Sequence, residues 1–308
     1  MFKDSDLFWK NFRLGTELQI SGSFIYNAIY FFDQMEHFYY EEECFEFLYN
    51  CAVGLERLGK IVVVLLEHTD ETDQEKFEKT LITHNQLEIY TRIKKIKSLS
   101  FGKNHIKFLQ LLSTFYNSTR YDRFNLASVY HKNQDKALLI KFIEESLDIK
   151  IQADQMFPSE NSERIKKFIG RTVIAISTKY YEIIRDRAFE LNIYTYELSY
   201  ESKAFKIFIE KGSNFDKEKL FQREIIVSLL NNSTKDIFFD FVKSIRPMDL
   251  SSYGKNEYIQ FLMNFHKKRH MLSELEYLYE ETKFDKGRHN DINMVGSDTS
   301  FELPDNDI

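Results

Sequence analysis

Apolar residues recur at three- and four-residue intervals along most of this chain, the repeat that lines one face of an α-helix. In residues 16–40 the stripe is Phe24, Ile25, Ala28, Ile29, Phe32, Met35 and Phe38. In residues 41–68 it is Phe45, Leu48, Ala52, Leu55, Leu58 and Val62. Both stretches are expected to be long helices packed along their lengths, with Phe32, Phe45, Leu55 and Val62 buried between them. The acidic run 69–75, TDETDQE, breaks the pattern and reads as a loop. Helical spacing resumes over 84–96, breaks at 100–104 (SFGKN), and continues through Phe108, Leu111, Leu112 and Phe115; a further helix is expected over 134–149.

The stretch 152–163, QADQMFPSENSE, interrupts the periodicity with a proline and polar residues, so a domain boundary is placed after residue 155. Ser159 or Ser162 is positioned to cap the helix that follows. Helices are then expected over 163–190, 200–211, 216–231, 234–245 and 255–281. Residues 192–200, NIYTYELSY, alternate well enough for a strand but read better as an interruption between helices. The expected organisation is a helical bundle over 1–155, a second, mainly helical domain over 156–284, and a flexible polar tail over 285–308. With 10 glycines and 3 prolines in 308 residues there is little material for the tight turns of a β fold, so the fold class is all-α.

Charge changes the picture locally rather than globally. The net charge of −6 implies a soluble surface, and no apolar run reaches membrane length, so a cytoplasmic protein without membrane contact is expected. Cys44 and Cys51 lie two helical turns apart, about 10 Å by helix rise, too far for a disulfide, and read as core residues. Between Glu88 and Asp122 the chain has no acidic residue, yet it carries Arg92, Lys94, Lys95, Lys97, Lys103, Lys107 and Arg120. Such a run attracts a phosphate backbone, and the interleaved Tyr90, Phe101 and Tyr116 offer rings on which bases stack; the competing reading is a solvated basic face. The run ends in 117–126, NSTRYDRFNL, where Arg120 and Arg123 share a helix face and Tyr121 and Phe124 are expected to pack inward. This cluster is either an anion site or an ion-paired bundle end. His266, His270 and Glu274 share a helix face, but Lys267, Lys268 and Arg269 crowd them, so no metal site is assigned. No cofactor is implied, since P-loop, GxGxxG and GxSxG motifs are all absent.

With Gly54, Glu56, Arg57, Leu58 and Lys60 on its second long helix and His84, Asn85 and Leu87 ahead of a short one, the first half resembles the HEPN superfamily of nucleotide- and RNA-associated helical bundles. Gly54, Glu56, Arg57, Leu58 and Lys60 match its G-x-E-K/R-L-x-K pattern on the second long helix, and His84, Asn85 and Leu87 loosely match the G-H-x-L-like segment that opens a short helix. The resemblance implies a HEPN-like antiparallel bundle that binds or cleaves RNA in a bacterial, antiviral defence or toxin-type system. It also implies a homodimer or another protein partner. Active members are metal-independent ribonucleases with an R-x(4–6)-H signature, in which an imidazole moves a proton and an arginine binds the scissile phosphate. That signature is not met from Arg120 or from Arg123, and His131 falls one residue beyond the window. The catalytic candidates are therefore Arg120, Arg123 and His84, the nucleic-acid-binding candidates Arg92, Lys94, Lys95, Lys97, Lys103 and Lys107. Cleavage, RNA binding without cleavage, and a non-catalytic helical interaction protein that assembles with an effector all stay open.

Overall fold

The computed structural model describes residues 5–121, 124–128, 134–154, 156–231, 236–264, 270–282 and 287–297. Among them there is no β-strand, only an isolated bridge between His37 and Glu160, and the chain is all-α as its periodicity predicts. Two compact units divide it, Met1–Phe215 and Asp216–Ile308.

In the first unit α1 (Ser5–Phe8) runs through a π-helical turn, Trp9–Arg13, into α2 (Leu14–Gln34). It is followed by α3 (Glu41–Glu67), α4 (Gln74–Thr80), α5 (Gln86–Ile96), α6 (Lys103–Thr114), α7 (Gln134–Leu147), α8 (Glu163–Glu190) and α9 (Lys203–Phe208). The three glutamates that open α3 face the positive end of its dipole, and no proline interrupts its 27 residues. α2 and α3 run antiparallel: Arg57 pairs with Glu17, Gly54 meets Ile25, and the rings of Phe47 and Phe32 are 4.6 Å apart. A Cβ at Gly54 would stand 2.7 Å from Ile25 Cγ1, so the missing side chain is what lets the two helices approach here. Phe32, Leu55 and Val62 are buried as expected; Phe45 is only partly covered and packs its ring against Phe115.

α8 lies parallel to α3, with Tyr180 beside Gly59 and Arg187 Nε donating to Leu65 O. The break at 152–163, expected to separate two domains, thus lies inside the first unit. Asn161, almost fully buried, gives the reason: its amide donates to Phe32 O (2.8 Å) and Met35 O (3.1 Å), satisfying carbonyls that the end of α2 leaves open. Residues 192–202 turn without forming a strand, and α9 then packs Ala204 directly onto Gly22. Two expectations are corrected. Residues 74–80 of the acidic run and its continuation form α4, capped by Asp73, whose carboxylate accepts from Lys76 N. Tyr121 and Phe124 do not pack inward; they are 61% and 87% exposed, because the helix ends before them.

The second unit holds α10 (Asp216–Asn231), α11 (Ile237–Ser244), α12 (Lys255–Met263), α13 (His270–Glu281) and α14 (Arg288–Met294), the last within the expected polar tail. Tyr258, Met271 and Arg288 are its buried side chains among the described residues. No described helix in either unit is long and apolar enough to cross a membrane.

Candidate functional site

Three elements meet at one corner of the first unit. The first is α3, where Tyr49 and Glu56 lie two turns apart on one face and Lys60 follows Glu56 by one turn. The second is the entry to α5. Asn85 caps this helix, its side-chain oxygen accepting from Leu87 N (3.0 Å) and Glu88 N (3.2 Å). Gln86 clamps the entry further, donating from its side chain to Ala52 O and from its backbone to Ser113 Oγ. His84 therefore stands just ahead of a helix start anchored to both α3 and α6. The third element is the end of α6, which widens into a π-helical turn over Phe115–Thr119 and closes with Arg120 N donating to Phe115 O. Such turns recur at functional sites because they re-aim the residues that follow.

These frames bring distant side chains together. His84 Nδ1 is 3.0 Å from Glu56 Oε2, while Glu56 Oε1 accepts from Lys60 Nζ at 2.6 Å. The Glu56 side chain is 9% exposed and the His84 side chain 47% exposed, so the pair is rooted in the protein and opens to solvent through the imidazole. A carboxylate only accepts, so Nδ1 is the donor in this pair and Nε2 is the ring nitrogen that Glu56 leaves unengaged. The His84 ring lies 4.7 Å from that of Tyr116. Over the same Tyr116 ring, at 3.6 Å from its centroid, lies the Arg120 guanidinium, which also contacts Tyr121 at 4.3 Å. Tyr116 continues the stack to Tyr49 and Phe45. Burial pushes the Tyr116 hydroxyl above its ordinary range, against the opposing pull of Arg120, and so holds it neutral. Arg120 Nε is buried without a hydrogen-bond partner, and no carboxylate pairs with this guanidinium among the described residues. Beside Arg120 opens a cavity of about 700 Å³ that reaches Phe124 and the first turn of α3.

Of the sequence candidates, His84 and Arg120 thus share one aromatic platform, and Arg123 lies outside the described residues. Glu56, quoted only as part of a motif, proves to be the partner of His84; its spacing to Lys60 is visible in sequence, but its distance to a residue 28 positions on is not.

The basic stretch is placed differently. Arg92 forms a two-pronged bond to Glu67 (2.7 and 2.5 Å) and donates to Thr80 O. Lys107 pairs with Glu145 at 2.7 Å and Lys97 lies 3.7 Å from Glu190. Lys94, Lys95 and Lys103 are exposed. Tyr90 and Phe101 are each 8% exposed and pack on one another, so their expected role as stacking platforms is corrected to a core role; Tyr116 alone of the three stays open. Cys44 and Cys51 are free and buried, and burial pushes the Cys44 thiol up to about 12, so neither presents a thiolate. No cluster of three metal-ligating side chains occurs among the described residues, which exclude His266. No family model, curated protein or solved structure matches the chain.

Proposed function

We propose that this chain is a HEPN-like, metal-independent ribonuclease in which His84 is the general base and Arg120 holds the scissile phosphate. One observation carries the reading. The solvent-open imidazole is oriented by a buried carboxylate, and it lies against the same tyrosine ring that carries a guanidinium with no carboxylate partner among the described residues. In the reaction, Glu56 holds the Nδ1 proton and Nε2 removes the proton of an RNA 2′-hydroxyl. The 2′-oxygen attacks phosphorus, the bond to the 5′-oxygen breaks, and that oxygen leaves with a proton from water. Arg120, held over the Tyr116 ring, offers its guanidinium donors to the phosphate oxygens as negative charge builds there. Exposed Lys94, Lys95 and Lys103 draw the strand in from farther away. The HEPN resemblance, rather than the chemistry, supports a bacterial defence or toxin-type role for such cleavage.

The test is incubation of the full chain with single-stranded RNA in excess EDTA. Wild type is expected to leave 2′,3′-cyclic phosphate and 5′-hydroxyl ends. His84→Ala is expected to cleave on the order of 10² to 10⁴ more slowly, the usual contribution of a positioned proton carrier. RNA left intact by the wild type would contradict the reading.

A non-catalytic assembly role has its own observation. No α10 side chain is buried, and Phe221, Ile225 and Leu229 repeat at four-residue intervals while each is at least half exposed. An amphipathic helix of this kind fits the apolar groove of a helical effector protein. A wild type that cleaves no RNA, yet loses a co-purifying effector on Ile225→Glu, would favour this second reading.

A further inference from the structure

The cavity beside Arg120 has features that proton transfer at His84 does not call for. Lys136 lines it, yet the residue is only 5% exposed. Its ammonium donates to Tyr39 O at 2.9 Å, and it forms no ion pair among the described residues. A lysine side chain this covered, with a single hydrogen bond among the described residues, has donors left for an anion. Arg120 borders the same space with its buried Nε likewise unpartnered. Two cations on different elements, Lys136 on α7 and Arg120 after the π-helical turn, thus line one cavity, the arrangement of an anion site. Tyr39, Tyr40 and Phe45 make part of its lining aromatic. Its volume of about 700 Å³ lies within the range of small-ligand pockets and well above what a bare phosphate fills. Two carboxylates, Glu41 and Glu42, also line it, and Glu42 is solvent-exposed. Opposite charges in one aromatic-walled cavity match a ligand that is anionic at one end and carries hydrogen-bond donors on a flat ring at the other.

We propose that this cavity is the subsite for the nucleotide adjoining the scissile bond, and that it selects guanine. The phosphate is held between Arg120 and Lys136, the base stacks on the aromatic wall, and Glu42 accepts from the base edge. Guanine is the base that presents two adjacent N–H donors, N1–H and the exocyclic amine, to one carboxylate; adenine presents an acceptor at N1 and uracil a single donor between two acceptors. Single-stranded RNA is commonly read through this combination of stacking and edge contacts. The assignment rests on the ribonuclease reading for its place in an RNA strand, while the cavity itself is testable with mononucleotides.

The experiment is calorimetric titration of the full chain with GMP, AMP and guanosine. GMP is expected to bind at least tenfold more tightly than AMP, and guanosine at least tenfold more weakly than GMP. Glu42→Gln should bring GMP down to the affinity of AMP. Lys136→Met should bring GMP down to that of guanosine; if that variant fails to fold, Arg120→Gln is expected to weaken GMP and AMP alike by at least fivefold. Equal binding of GMP and AMP, a preference that survives in Glu42→Gln, or guanosine binding as well as GMP would each overturn the proposal. His84→Ala should leave GMP binding unchanged, which separates the two readings. GMP binding without RNA cleavage by the wild type would keep the cavity and remove the nuclease. Cleavage without a guanine preference, in the products or in the titration, would keep the nuclease and remove the subsite.

Discussion

Arg92 and Arg120 belong to the same acid-free run of sequence, and the fold treats them oppositely. Arg92 is gripped by both oxygens of Glu67, caps the end of α4 through Thr80 O, and lies over the Phe77 ring. Among the described residues Arg120 meets the rings of Tyr116 and Tyr121 and no carboxylate, and its buried Nε has no acceptor. The first is a structural tie between α3, α4 and α5. The second rests on aromatic rings rather than on a carboxylate, and a ring contact leaves guanidinium donors that a two-pronged ion pair would fill. Positive charge counted along the chain is therefore a poor guide to positive potential. What decides is whether a carboxylate from another element reaches the group, and Glu67, Glu145 and Glu190 reach Arg92, Lys107 and Lys97 respectively.

The sharpest way to break this contrast is to exchange the arginines for lysine and alanine in turn. Arg120→Lys keeps the charge but loses the two-donor edge. Cleavage is expected to fall about 10- to 100-fold with the melting temperature unchanged, since a hydrogen bond to a charged group contributes about 1.5–3 kcal/mol. Arg92→Ala should do the reverse. It leaves Glu67 partly buried and unpaired, so denaturant unfolding should show a loss of about 1–2 kcal/mol while the cleavage rate per folded molecule stays at the wild-type value.

A milder perturbation addresses the exposed members of the basic run. Replacing Lys94, Lys95 and Lys103 with alanine should reduce the slope of log affinity against log salt for single-stranded RNA by about 2, three phosphates at roughly 0.7 each. The same change at Lys97 and Lys107, which already have acidic neighbours, should move that slope less. Anisotropy titrations at several salt concentrations read both.

The smallest expected effect concerns His105, which stacks near Phe101 on the edge of the basic run. Burial, and then the nearby Lys179 ammonium, hold its pKa below the ordinary 6.5. The unfolded chain binds that proton more readily, so stability rises with pH across this range. His105 costs nothing above the unfolded value of about 6.5, and it destabilises the fold increasingly as pH falls from there toward the lower folded-state value. His105→Gln should therefore make the decline in melting temperature between about pH 7.5 and pH 5.5 shallower.

Much of the fold was legible because helical periodicity is a local property. Residues 41–68 and 163–190 were expected as helices, and the structure has Glu41–Glu67 and Glu163–Glu190. What escaped was set by contacts between distant residues. A polar run with a proline looks like a linker until Asn161 is seen closing the end of α2. Tyr121 and Phe124 fit an inward stripe only if the helix continues, and it instead widens at Phe115 and stops. The candidate site was half legible: His84 and Arg120 stood out by type and position. Their joint dependence on Tyr116, and the carboxylate of Glu56 behind the imidazole, emerge only when α3, α5 and α6 are packed together.

The central claim is that the His84–Arg120 corner performs the chemistry while the basic run only gathers RNA. Single-turnover cleavage at saturating protein tests it most directly, because binding differences then drop out of the rate. His84→Ala and Arg120→Lys should remain slow however much protein is added, by about 10² or more and about 10-fold or more respectively, whereas the Lys94, Lys95 and Lys103 triple variant should recover the wild-type rate. Corner variants that reach the wild-type rate at saturation, or a lysine variant that stays slow there, would contradict the account.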